Sequence, residues 1–138
     1  CDVAILRFGI VYGPRPSNWC AVEGLLNQVA TKPRISVGSR KTARCFIHVD
    51  DIAAGIGASL GKPGFHILNL QGERPVSLEE VVLTAAELLG KEIELIETAP
   101  DTPSIRRVSA QRARDELGFK PQISFRDGLQ SVIDFLEL

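Results

Sequence analysis

Methionine is absent from the sequence, aromatic side chains make up only 6% of it, and it holds two histidines and three cysteines. Each shortage excludes something. His48 and His66 are too few to argue a zinc site, and Cys1, Cys20 and Cys45 show no metal-ligand spacing, so no metal is expected. An odd cysteine count without paired spacing also argues against a disulfide framework, and the expectation is reduced thiols in the cytoplasm. No apolar run approaches the length of a membrane span and no signal-peptide pattern is visible, so no membrane partner is expected. Positive and negative charges nearly cancel, leaving a formal net charge of −1. That excludes the basic footprint of a nucleic-acid-binding chain. The missing methionine, with an opening at Cys1 just before the apolar Val3-Ala4-Ile5-Leu6, carries one more expectation: the 138 residues are a piece of a longer protein.

What is present begins with Arg44-Cys45-Phe46-Ile47-His48-Val49-Asp50-Asp51-Ile52. A cation precedes a short run of strand-forming residues, and two acids follow it at the start of a helical pattern. Asp50 or Asp51 can cap the helix that Ile52 opens. A strand, sharp turn and helix of this kind can present Arg44 and free backbone N–H groups to an anion. The plainer reading is an arginine at a strand end and an ordinary helix cap.

Around this unit the chain punctuates itself clearly. Residues 3–12 read as one nearly continuous apolar strand, the pattern of a parallel sheet covered on both faces. After the Gly13-Pro14-Arg15-Pro16 break, Ser17 or Asn18 can cap a helix with Val22, Leu25, Leu26 and Val29 on one stripe. Ile35 to Val37 is a short strand, and a helix over 51–61 follows Asp51. The small residues of that helix, Ala53, Ala54, Gly55, Gly57 and Ala58, predict close packing against a neighbouring backbone. Phe65 to Leu70 is a second apolar strand. Ser77-Leu78-Glu79-Glu80 opens a helix that Gly90 stops, and Glu92 to Glu97 alternates like a half-exposed strand. Residues 98–108 are loop-like. Ser109 caps a short helix ending at Gly118, and Ser124 opens a last one carrying Phe125, Leu129, Val132, Ile133 and Leu136. His48 reads as a packed strand residue. An apolar fraction of 44% in 138 residues suits one core.

Five segments, in order, resemble those of the extended short-chain dehydrogenases/reductases, the NAD-dependent epimerase/dehydratase family. They are Leu6-Arg7-Phe8-Gly9-Ile10-Val11-Tyr12-Gly13-Pro14-Arg15; Arg44 to Asp51; Phe65 to Leu70; Val76-Ser77-Leu78-Glu79-Glu80-Val81; and Ala113 to Pro121. The resemblance implies an α/β fold: the terminal part of a Rossmann-like parallel sheet, built from strands 3–12 and 65–70, plus the small C-terminal substrate-binding domain. Residues 1–138 then form a single partial unit. It also implies a nucleotide-sugar substrate and NAD or NADP in the intact parent.

By the same resemblance Arg44 grips a substrate diphosphate, with Asn18, Arg106, Arg107 and Asp51 as further substrate-binding candidates. Asp51 is equally an internal cap that orients the Arg44 loop. Gly9, Ile10, Val11 and Tyr12 are candidates for cofactor contact. Arg44 and Arg106 or Arg107 are expected to line one groove with Asn18 and the loop at 13–18. Three positions depart from the family pattern. Ile10 stands where many sugar-nucleotide enzymes carry a hydrogen-bonding Asn, Ser109 replaces an Asp, and segment 98–103 lacks a second phosphate arginine. There is no Gly-x-x-Gly-x-x-Gly after a first strand, and position 16, four after Tyr12, is Pro16 rather than the Lys of a Tyr-x-x-x-Lys pair. No catalytic residue is therefore assigned, and this piece by itself is expected to be catalytically silent, to bind neither NAD(P) nor substrate with appreciable affinity, and to self-associate. A non-catalytic NAD(P)-sensing or protein-binding relative is the alternative class.

Overall fold

In the structure, a computed structural model that describes residues 1–138, strand β1 (Val3–Phe8) and strand β2 (Ile10–Tyr12) divide what reads in sequence as one strand. β1 lies parallel to β6 (Phe65–Leu70), in register from Val3 opposite Phe65 to Phe8 opposite Leu70. This is the pairing that two apolar strands joined by helical crossovers favour. At Gly9 the chain changes partner, and β2 runs parallel to β5 (Phe46–His48) instead. No side chain fits at the change. A Cβ on Gly9 would stand 2.6 Å from the Cys45 carbonyl oxygen and 2.7 Å from Gln71 Oε1, so glycine is what lets the strands approach.

The other strands are short. β3 (Arg34–Val37) is parallel to β8 (Glu94–Glu97), and β4 (Ala43–Arg44) is antiparallel to β7 (Val76–Ser77). Five helices fill the intervals: α1 (Ala21–Thr31), α2 (Val49–Ser59), α3 (Leu78–Leu89), α4 (Gln111–Leu117) and α5 (Phe125–Leu136). Their stripes pack as the spacing predicts. Val22, Leu26 and Val29 of α1, Val81 and Ala85 of α3, and Leu129 and Val132 of α5 join Ile35, Phe46 and Val76 in one cluster. A second cluster, under the β1–β6 pair, holds Ile47, Ile52, Leu68, Leu70, Ala113 and Phe119. One core was expected; there are two, and β5 supplies both, because Phe46 and Ile47 point to opposite faces. Each fully buried Leu or Val contributes about 1.5–3 kcal/mol of transfer free energy.

Helix α2 meets the β1–β6 pair closely at Gly55, where a Cβ would lie 2.6 Å from Leu70 Cδ1, whereas Gly57 faces open space. Its start corrects the sequence reading. The cap is His48, whose Nδ1 accepts from the Asp50 N–H at 3.3 Å, and the helix opens at Val49. Asp51 instead turns inward, where its two oxygens accept from the Gln122 and Ile123 N–H groups at 2.9 and 3.1 Å. At α4 the cap position is Ala110, with Ser109 Oγ accepting from the Gln111 N–H. Ser77, Gly90 and Ser124 cap as expected.

The α1 cap also differs. Asn18 adopts a left-handed conformation (φ 58°) and Ser17 makes no cap; Cys20 and Glu23 close a capping box between them. Glu23 is 0% exposed. Its Oε1 accepts from the Gly13 N–H at 3.1 Å and from Arg15 Nε at 2.9 Å, and its Oε2 accepts from the Cys20 N–H at 3.0 Å. One buried carboxylate thus folds the whole 13–20 loop onto the helix. Burial alone would raise this carboxyl, but hydrogen bonds from Cys20, Arg15 and Gly13 outweigh it and hold it below its ordinary 4.5. Burial and the bond to Glu23 push the Cys20 thiol up to about 11.

Glu23→Gln keeps the shape but turns one acceptor into a donor facing other donors. It is expected to cost about 2–3 kcal/mol at pH 7, read from urea denaturation midpoints. Because the folded carboxyl is depressed, its contribution is complete above the ordinary carboxylate range and is lost as pH falls through the folded value. The gap between wild type and variant should therefore narrow on acidification; a gap independent of pH contradicts this account.

Candidate functional site

In open parallel sheets, ligands lie outside the carboxyl ends of the strands, where neighbouring chains diverge. The β1–β6 pair has such an end at Phe8 and Leu70, and there the chain leaves β6 for β5. A cleft of about 230 Å³ opens at that point, lined by Phe8, Gly9, Ile10, Arg44, Cys45, Gln71, Arg106 and Val108. Its lining includes two arginines and no carboxylate.

Segment 104–106 brings the second arginine in. The Ala43 N–H donates to the Ser104 carbonyl at 3.0 Å, and the Arg106 N–H donates back to the Ala43 carbonyl at 3.1 Å. This bridge carries Arg106 across about 60 residues of sequence to the side of Arg44. Arg44 is braced by the same segment: Nη1 donates to the Ser104 and Ala43 carbonyls at 2.5 and 2.8 Å, and Nη2 to Ser104 Oγ at 3.2 Å. Neither arginine has a carboxylate partner, unlike Arg15, Arg34, Arg40, Arg74, Arg112 and Arg126. The Arg44 guanidinium is held by main-chain carbonyls, that of Arg106 makes no hydrogen bond, and both offer the paired donors that phosphate oxygens accept.

The expected groove is thus formed in part. Arg44 and Arg106 meet, with Gly9 and Ile10 beside them, while Arg107, Asn18 and the 13–18 loop line other surface. Val11 packs against the second core cluster and Tyr12 is buried in the first, 2% exposed. Burial, with the carboxylates of Asp51 and Asp127 adding to it, pushes the Tyr12 phenol well above its ordinary 10.0, so it stays protonated.

Asp51 borders a different cavity, of about 260 Å³, with Tyr12, Phe46, His48, Arg74 and Phe125. Three of the charged and imidazole groups there are already engaged, while Glu73, on the same lining, makes no hydrogen bond or ion pair. Asp51 holds the 122–123 backbone, His48 Nε2 lies 3.1 Å from Ser131 Oγ, and Arg74 pairs with Glu80. Asp51 thus braces residues 122–123, and does not cap α2 or orient the Arg44 loop as the sequence suggested.

Two residues at the cleft escaped the sequence reading, one behind its lining and one on it. Ser104 buttresses Arg44, and Gln71 sits at the carboxyl end of β6. The signal for Gln71 was available: a polar residue directly after an apolar strand, at the position where parallel strands present ligand-binding groups. The lining carries no carboxylate, imidazole or phenol.

No family model matches the chain. Among curated proteins it is 27% identical over 138 residues to the UDP-glucuronate 4-epimerase of Thermodesulfobacterium geofontis, a match covering 97% of this chain and 43% of the relative. It is 31% identical over 139 residues to the uncharacterized UDP-glucose epimerase YtcB of Bacillus subtilis, covering 97% and 44%. Among solved structures, MoeE5 in complex with UDP-glucose and NAD superposes with a TM-score of 0.84 at 26% identity, over 99% of this chain and 47% of that one. The chain spans less than half the length of these relatives.

Gly9→Ala tests the cleft's geometry. With a backbone oxygen 2.6 Å from the new methyl group, the β1–β2 junction must shift, at a cost of about 1–3 kcal/mol. Amide shift changes should centre on residues 8–10, 45 and 71–72. A variant of unchanged stability and spectrum contradicts the close approach.

Proposed function

This chain belongs to the NAD-dependent epimerase/dehydratase family of extended short-chain dehydrogenases/reductases, and from that premise we propose that it is the C-terminal, substrate-binding part of a nucleotide-sugar enzyme. In this reading Arg44 and Arg106 grip the diphosphate of the substrate. The observation that carries it is the pair of arginines without carboxylate partners at the carboxyl end of a parallel pair, with Arg44 braced by main-chain carbonyls. The ligands named with relatives, UDP-glucose among them, have the anion such a pair suits.

The parent uses NAD or NADP in this reading, but the residues of this chain do not fit a dinucleotide by themselves. Helices α1, α2, α3 and α5 each carry an acid in the first turn, Glu23, Asp50, Asp51, Glu79, Glu80 and Asp127. Those termini repel a pyrophosphate that a bare helix N-terminus would attract. Gly9 and Ile10 offer one wall beside the substrate cleft, and no reaction step is assigned to this chain's side chains. No helix is long and apolar enough to cross a membrane. The three free cysteines suit a reducing cytoplasm.

Pyrophosphate followed by amide NMR tests the reading. Millimolar pyrophosphate should move the amide signals of Gly9, Ile10, Cys45, Gln71 and Arg106. Arg44→Ala should weaken that binding roughly ten- to hundred-fold, the worth of a charged hydrogen bond of about 1.5–3 kcal/mol. Unchanged binding with lower stability would make Arg44 a structural residue only.

The β1–β6 pair also implies a covering partner. Parallel strands are normally buried on both faces, yet Val3, Ile5 and Phe65 on this pair are 38%, 42% and 64% exposed. The 138-residue chain accordingly self-associates through this region, by edge pairing or by exchange of an element. Light scattering across a concentration series should show mass rising with concentration; a monomer throughout excludes it.

A further inference from the structure

We infer that Gln71 is a ligand-reading residue of the Arg44–Arg106 cleft, recognising the neutral, hydroxyl-bearing part of the molecule whose phosphates the arginines hold. The inference rests on the anion-binding reading above and adds to it a second recognition element of different chemistry.

Gln71 is 5% exposed, the first residue beyond β6, and it borders the cleft beside both arginines. Its carboxamide makes no hydrogen bond, although the neighbouring Asn69 donates to the Ser109 carbonyl at 2.9 Å. Its polar atoms are not sealed off, since Arg40 Nε is the one buried side-chain N or O left without a partner; the carboxamide therefore meets water at the cleft, where a ligand can take the water's place. The position of this amide is also held open. Its Oε1 and Cδ lie 2.7 and 3.3 Å from where a Cβ on Gly9 would stand, so the bare Gly9 backbone makes the space it occupies. Gly9 and Ile10 form the floor over which the carboxamide reaches.

The chemistry of the group narrows what it reads. A carboxamide carries no net charge, so it adds little to an anion already facing two guanidiniums. It offers donors and an acceptor together, which complements a hydroxyl group that is itself both. A sugar next to a diphosphate presents such hydroxyls. Phosphate oxygens, which only accept, would use half of the amide. The arginines therefore supply the grip, and Gln71 supplies discrimination.

The test titrates the 138-residue chain, wild type and Gln71→Leu, with UDP-glucose and separately with pyrophosphate, following amide NMR signals. Leu fills similar volume and suits a buried site. The expected result is about tenfold weaker UDP-glucose binding in the variant, as for loss of a buried hydrogen bond, with pyrophosphate binding unchanged. In the wild type the Gln71 side-chain NH₂ signals should move with UDP-glucose and stay nearly still with pyrophosphate. That second readout decides the matter if the variant does not fold. Equal UDP-glucose affinity in variant and wild type, equal weakening for both probes, or unmoved Gln71 side-chain signals at saturation each overturn the inference while leaving the anion site standing. Failure of wild type to bind pyrophosphate at all overturns the anion site itself, and the role of Gln71 with it.

Discussion

Strand β5 is the constraint on which the rest depends. Three residues long, it places Phe46 in the core built by α1, α3 and α5 and Ile47 in the core beneath β1–β6. His48 then ends the strand and caps α2. Strand alternation at a single point therefore joins the two halves. A one-residue slip of β5 would exchange the two side chains between cores and move the cap, so its register with β2 is strongly specified.

Two buried carboxylates keep the loops around this strand in place. Glu23 gathers the 13–20 loop through the Gly13 and Cys20 N–H groups and Arg15, and Asp51 fastens the 122–123 turn to the start of α2. Both draw main-chain donors into the interior, where an unpaired N–H is costly. Both acids stand apart from the cleft of Arg44 and Arg106, whose lining carries no carboxylate.

The likeness to relatives of more than twice this length accords with an arrangement in which one β–β pair is only thinly covered. Relatives named for UDP-sugar chemistry match the chain in sequence, and a solved structure holding UDP-glucose and NAD shares its fold. In the proposed role this chain contributes recognition of the anionic substrate, and its acidic helix starts leave phosphate binding to side chains rather than to helix N-termini.

Much of this was legible in the sequence alone. Helix stripes, the Ser77 and Ser124 caps, the Gly90 stop and the parallel β1–β6 pair follow from residue spacing and local backbone preference, which act over a few residues. The five ordered segments pointed to the family for the same reason, since short motifs survive without the fold in view. What tertiary structure decided depends on contacts distant in sequence. The break at Gly9 comes from the approach of Cys45 and Gln71, and the cap of α2 passes to His48 because Asp51 is claimed by residues 122–123. Likewise Arg106 rather than Arg107 reaches Arg44, because the hydrogen bonds of residues 104–106 to Ala43 set which side chain turns inward. Loop closure over some 60 residues leaves no local pattern to read, and only the folded chain brings Arg44, Gln71 and Arg106 to one cleft.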